Sequence, residues 1–302
     1  MSFKLNKSDY KTLECIAEYR ILTVTQIAAI FHKSRQVVRR RLNNLEQAGF
    51  IEIAGHEIGR GRGRPESYQG LTKCGIDVLR NRGLLNKEIP YDDVCADIFA
   101  HDHQLLLNWF RIHLNEVEKV VSKVNVKFFA STSPALPADK NGRTLITNYS
   151  QVPGNGIKGV KFTPDAAFSI SDSDRDMTCL YFLEVDRGTE TRASTRRDMT
   201  DVRQKLINYQ WYFQSKAYKR YEKVFKCQLR GFRVLFLTTT TGRLSALCEL
   251  TQQLRPSNFV YLTEISRLFP EGVSTEIWTK GNDINGPQHS ILDSLCCKAP
   301  LP

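Results

Sequence analysis

The run CLYFLEVD, residues 179–186, constrains this chain more than any other stretch. It has the apolar character of a strand inside a sheet, yet it closes on two carboxylates two residues apart, Glu184 and Asp186. Side chains at i and i+2 of a strand face the same way, so two negative charges are set side by side at a strand's end. A second apolar run, TPDAAFSI (163–170), precedes it across the polar loop SDSDRDMT, and a hairpin is the simplest arrangement. Pairing Ile170 with Cys179 sets Asp165 opposite Glu184. The sequence therefore predicts three carboxylates at one end of one hairpin.

Packing alone has no use for such a cluster, because like charges pushed together raise a pKa or cost stability. A divalent cation resolves the conflict, and Mg²⁺ (or Mn²⁺) takes oxygen ligands of this kind. The competing resolution is a set of salt bridges, for which Arg187, Arg192, Arg196 and Arg197 are at hand. A helix expected from about Ser194 to Tyr221 puts Lys205 at the border of its buried face. Such a lysine either holds a phosphate and stabilises charge developing on an oxygen, or runs its stem past Tyr209 to reach water. An earlier helix, Asp97 to Val117, carries the apolar stripe Leu106, Phe110, Leu114 and Val117. His103 falls on that stripe, as a satisfied core residue or a weak candidate ligand.

Charge is distributed unevenly. The chain carries +11, of which residues 1–90 supply +7 from 16 Lys/Arg against 9 Asp/Glu. A basic head on a nearly balanced body points to an anionic partner. In the head, Ser8 is placed to cap a first helix, Thr23 or Thr25 a second, and Ser34 a third bearing Val38, Leu42 and Leu45. Gly49 stands where that third helix must end. Strand-like FIEIAGH and the run through Tyr68 and Leu71 flank GRGRGRP, which gives a hairpin wing tipped by Arg60, Arg62 and Arg64. Arg35, Gln36, Arg39, Arg40 and Asn43 lie mostly off the apolar stripe of the third helix, free for a major groove. A solvated basic surface explains any one of these features, and a winged helix can also dock proteins. Helix, turn, helix and arginine-tipped wing in order favour double-stranded DNA.

The expected architecture is α/β: an N-terminal winged helix-turn-helix over 1–85, a linker over 86–96, an α/β domain with a mixed central sheet flanked by helices over 97–285, and a flexible tail over 286–302. The polar stretch from about Ser131 to Gly159 reads as a long connection. GFRVLFLTTT (231–240) is a strand covered on both faces. No run reaches the ~18 apolar residues that span a bilayer, and the first residues lack the pattern of a signal peptide. Eight scattered cysteines form no CxxC pair. A cytoplasmic protein without a membrane partner is expected.

Pro164-Asp165 followed by a strand closing in Glu184-Val185-Asp186 resembles the PD-(D/E)xK nuclease core. Together with the winged-helix head, the pattern PDA…FLEVDRGTE…K…Y…FRVLFLT is similar to proteins of the replication-relaxation family, related to the restriction-endonuclease-like class of relaxases. The likeness runs from about Leu13 to Trp278 and is most specific at Phe182–Glu190. It implies a restriction-endonuclease-like domain, an origin on a plasmid or other mobile element, and work in replication or mobilisation. Asp165, Glu184 and Asp186 would be its metal ligands, His103 a weak one, and Lys205 a stand-in for the lysine expected two residues after the glutamate, where Asp186 stands. Three functions follow as candidates. One is a Mg²⁺-dependent DNA-nicking or relaxase-like nuclease. Another is a regulator whose nuclease-like domain is inactive, and the last uses the head as a protein-docking module. Other mobilisation or replication proteins are natural partners, and a homodimer remains open.

Overall fold

The computed structural model describes residues 3–56, 66–95, 100–150, 160–188 and 201–293. The chain divides into two compact units, Met1–Ile112 with Thr132–Pro137, and His113–Ser131 with Ala138–Leu301.

The first unit opens with α1 (Lys7–Tyr19). Its cap is Asn6, not Ser8 as the sequence led us to expect. A capping box needs an acceptor and, three residues on, a carboxylate that reaches back. Asn6 finds Asp9 there, whose carboxylate accepts from the Asn6 N–H at 2.7 Å, whereas Ser8 would find Lys11. Then come β1 (Leu22–Thr23), α2 (Val24–Phe31) and α3 (Arg35–Gln47), the two helices capped by Thr23 and Ser34 as anticipated. Gly49 turns left-handed at φ 77° just beyond α3, a conformation that costs glycine nothing. β2 (Ile51–His56), β3 (Ser67–Leu71) and α4 (Lys73–Asn81) follow, and the three strands form an antiparallel sheet in the order β1-β3-β2.

Helix α5 (His101–Val120) starts in the first unit and ends in the second. Its first half is fixed by buried amides. Gln104 Nε2 donates to the Tyr19 carbonyl at 3.2 Å, Asn108 Nδ2 to Ile21 at 2.6 Å, and Gln26 Nε2 to Leu105 at 2.9 Å. A buried amide without partners costs free energy, so these bonds fix the position of the helix as well as stabilising it.

The second unit continues through β4 (Val124–Ala130), β5 (Asn148–Ser150), β6 (Val160–Phe162), β7 (Ala166–Asp172), β8 (Met177–Asp186), α6 (Val202–Gln214), a 3₁₀ turn (Ala217–Arg220), α7 (Tyr221–Phe225), β9 (Phe232–Thr238), α8 (Thr241–Gln253), β10 (Val260–Glu264), α9 (Ile265–Glu271) and β11 (Thr279–Lys280). The main sheet runs β11-β10-β9-β8-β7-β4. β4, β7 and β8 are antiparallel neighbours, β8, β9 and β10 are parallel, and β11 is antiparallel again, so the sheet is mixed. Parallel neighbours need a crossover, which α6 with α7 supplies between β8 and β9, and α8 between β9 and β10. Ile170 pairs with Cys179, the register that the short loop and two-residue period imply. Phe182 and Phe232 meet Tyr209 and Tyr212 of α6 with ring centroids 5.0–6.1 Å apart, which seals α6 onto the sheet.

Two expectations need correction. The polar connection after Ser131 contains β5, which pairs with β6. The long helix expected through Tyr221 ends at Gln214, and Lys216 turns left-handed at φ 55°. Arg220 accounts for both. Its Nη2 donates to the carbonyls of Leu145 at 2.6 Å and Thr147 at 2.9 Å, and Tyr212 donates to Asn148 Oδ1 at 2.8 Å. The chain breaks its helix to bring that guanidinium to the β5 loop. No described helix is long and apolar enough to cross a membrane.

His113, fully buried in the second half of α5 and 5.4 Å from the Phe269 ring, has its pKa pushed down to about 4 by burial. The unfolded chain takes up this proton first, so the contribution is intact above pH 6.5 and fades as pH falls toward 4. Urea unfolding should find wild type losing roughly 2 kcal/mol more than His113→Leu between pH 7.5 and pH 5. Equal losses would mean that the imidazole titrates normally.

Candidate functional site

β8 carries the groups that matter because it lies in mid-sheet, between antiparallel β7 and parallel β9. Its alternation sends Phe182, Glu184 and Asp186 to one face. Tyr209 of α6 packs on Phe182 and reaches Glu184, which identifies that face as the one α6 covers. Glu184 and Asp186 are each 3% exposed.

Glu184 is held at both oxygens. Lys205 Nζ donates to Oε2 at 3.0 Å, and the Tyr209 hydroxyl donates to Oε1 at 2.6 Å. Lys205 and Tyr209 are four residues apart on α6 and so share a face. Burial pushes the Glu184 carboxyl up to about 7; Lys205 pulls it back and the Asp165 charge pushes it further. Burial, and then the Glu184 charge, lifts the Tyr209 phenol well above its ordinary range, so it stays a donor.

Asp165 sits one step before β7, where the register continues to Glu184. Its N–H donates to Leu183 at 3.1 Å, and its Oδ2 accepts from the Val185 N–H at 2.7 Å. Asp186 Oδ2 accepts from Arg243 Nε at 2.7 Å, and its Oδ1 from the Gly188 N–H at 2.7 Å. Asp165, Glu184 and Lys205 are thus brought together, and Asp186 is turned to Arg243. Among the described residues no three His, Cys, Asp or Glu side chains are grouped as a metal cage would require. His103 lies half-buried in the first half of α5, which belongs to the first unit.

The cations at the strand's end are Lys205 and Arg243. Of the arginines that the sequence offered, Arg192, Arg196 and Arg197 lie outside the described residues. Arg243 and Tyr209 are what sequence reasoning missed as site residues. Arg243 is 57 residues from Asp186 in the chain, and no periodicity links positions so far apart. Tyr209 carries a signal in hindsight, being one helical turn after Lys205 on the buried face.

In the first unit, Arg35, Gln36, Arg39, Arg40 and Asn43 all stand exposed on α3, while Val38, Leu42 and Leu45 are buried. Among the described residues Arg35, Arg39 and Arg40 join no ion pair. Arg35, Arg39 and Asn43 line a cleft of about 660 Å³ shared with Ile53 and His56 of β2 and Ser67 and Gln69 of β3. Arg60, Arg62 and Arg64 lie outside the described residues.

Residues 13–227 match the family model described as replication-relaxation. No curated protein and no solved structure is significantly similar to the chain.

Lys205 counters Glu184 only while that carboxylate is ionised, above about pH 7. Replacing Lys205 with Met should therefore cost about 3 kcal/mol at pH 8 and clearly less at pH 6, where Glu184 is protonated. Denaturant unfolding at the two pH values reads this, and a loss independent of pH would place the lysine's contribution in its stem.

Proposed function

The chain belongs to the replication-relaxation family, which places its work in replication or mobilisation, and from that premise we propose that it is a Mg²⁺- or Mn²⁺-dependent DNA-nicking nuclease guided by a winged-helix head. The observation that carries this reading is the Glu184 carboxylate, buried at the end of β8 with Asp165 beside it and Lys205 bonded to it. Buried carboxylates beside one another, with one pKa raised by burial and by its neighbour, are what a hard cation would relieve.

The order α5, β4, β7, β8, α6, β9 supports the reading. Antiparallel β4, β7 and β8 followed by a parallel β9 correspond to the restriction-endonuclease-like core that the residue pattern resembles. Asp165 and Glu184 fit Mg²⁺ by donor type. This ion commonly takes one or two carboxylates and fills its remaining positions with waters and substrate phosphate, rather than using an all-protein cage. Bound there, it would polarise the phosphodiester and lower the pKa of a water. The residues do the rest. Lys205, fixed by Glu184, offers an ammonium to the charge that builds on phosphate oxygens. Tyr209 holds the other Glu184 oxygen, which keeps the carboxylate in one orientation. Water is the attacking group in this reading.

The head fits the same proposal. The order α2, turn, α3, β2, β3 follows a winged-helix plan, and the exposed row Arg35, Gln36, Arg39, Arg40 and Asn43 suits a major groove with its phosphates. Arg60, Arg62 and Arg64 of the wing tip belong to the proposal through the sequence alone. A homodimer on DNA and contacts with other replication or mobilisation proteins would be compatible with it.

One observation favours a second reading. Glu184 and Asp186 each already have a basic partner, Lys205 and Arg243, as in a scaffold that needs no metal. The chain would then be a DNA-binding regulator with a silent nuclease-like domain.

Supercoiled plasmid bearing the native origin, incubated with Mg²⁺ or Mn²⁺, separates the two. Wild type should nick it, Asp165→Ala and Glu184→Ala should lose at least about 100-fold in rate, and both should still bind the plasmid. Absence of nicking by wild type, or equal nicking by Glu184→Ala, leaves the regulator. Separately, duplex binding followed against salt should weaken in Arg35→Ala and Arg39→Ala, each reducing the log–log slope by about 1. Unchanged slopes would remove α3 from the interface.

A further inference from the structure

We propose that Asp186 is not a metal ligand but the anchor of a second phosphate-binding group, Arg243, which holds a backbone phosphate of the DNA strand beside Lys205. The inference rests on the nuclease reading for the identity of that strand and goes beyond it in assigning both residues.

Both Asp186 oxygens are occupied. One accepts from Arg243 Nε and the other from the Gly188 N–H, each at 2.7 Å, with the Asp186 side chain 3% exposed and that of Arg243 12%. A cation entering here would have to displace a buried guanidinium, which leaves two charges to be satisfied afresh. Nothing comparable holds at Asp165, whose Oδ2 accepts from a backbone N–H. The strand's two acids thus differ in kind: Glu184 keeps company with Asp165, and Asp186 with an arginine.

The position suits a phosphate. Asp186, Thr238 and Glu264 end the parallel strands β8, β9 and β10, and ligands of open α/β sheets collect beyond the carboxyl ends of such strands. Thr238 is the register partner of Asp186, so its side chain is on the same face. Its Oγ1 is fully buried and makes no hydrogen bond, a polar atom in need of a partner at that spot. Arg243 lies in the first turn of α8, whose cap Thr240 accepts from the Arg243 N–H at 3.3 Å. The positive end of that helix adds to the attraction for an anion. A guanidinium has five donors in a planar fork matched to phosphate oxygens. The bond to Asp186 uses one of them and fixes the plane, so the fork is oriented before substrate arrives. Asp186 acts through Arg243 and is a positioning residue.

Two measurements on the full chain test this. Mn²⁺ binding, followed by electron paramagnetic resonance, should be lowered at least ~10-fold by Glu184→Gln and changed less than ~2-fold by Asp186→Asn. Binding of a short single-stranded oligonucleotide in EDTA should lose ~0.7 from its log–log salt slope in Arg243→Gln, one phosphate's worth, and keep the slope in Arg243→Lys. Asp186→Asn should weaken that binding several-fold. Loss of Mn²⁺ by Asp186→Asn comparable with Glu184→Gln would restore Asp186 as a ligand and overturn the proposal. So would an unchanged slope in Arg243→Gln. Arg243→Lys retains a charge opposite Asp186, so the fold is tested by its melting alongside. Failure of wild type to nick DNA would strike the nuclease reading alone, since neither measurement depends on cleavage.

Discussion

A carboxylate in the middle of a sheet must be answered by something, and Glu184 is answered by α6. Lys205 matches its charge and Tyr209 takes its second oxygen. Removing either partner would leave buried charge or an unmet acceptor, which costs several times what an exposed ion pair contributes. Glu184 thereby sets how α6 lies over β8. The helix must present positions 205 and 209 to the strand's end, and the aromatic layer of Phe182, Phe232 and Tyr212 packs around that choice. The same contact that orders the second unit also assembles the candidate site.

The mixed sheet explains why groups from distant parts of the chain meet there. A hairpin alone would bring together only Asp165, Glu184 and Asp186. Making β8 parallel to β9 forces a crossover, which delivers Lys205 and Tyr209. The second crossover, from β9 to β10, delivers Arg243 at the start of α8. Parallel strands end at the same edge, so each crossover adds side chains to one place. Catalytic and anchoring roles can then be shared among residues that no local motif joins.

The first unit solves a different problem. α3 buries Val38, Leu42 and Leu45 and leaves an almost continuous polar row outside. Arg41, at the border, is bonded to the buried Asp9 of α1 instead of facing out. One arginine of the helix thus closes the unit while Arg35, Arg39 and Arg40 keep their charges at the surface. The amides of Gln104 and Asn108 then tie the first half of α5 to the turn after α1.

Much of this was written locally. The alternation of 163–170 and 179–186 with a short polar loop determined the Ile170–Cys179 register, and with it the place of Asp165, because strand period and loop length leave little freedom. Thr23, Ser34 and Gly49 determined helix ends for similarly short-range reasons, and the stripe on α3 determined which arginines face out. Tertiary structure decided the rest: that Asn6 rather than Ser8 caps α1, that β5 lies within an apparent connection, that Arg220 ends the helix after α6, and that Asp186 is matched by Arg243. Periodicity says which face a residue occupies, not what will stand opposite it. That depends on crossovers and on satisfying buried polar atoms, which are settled only when the whole sheet is assembled.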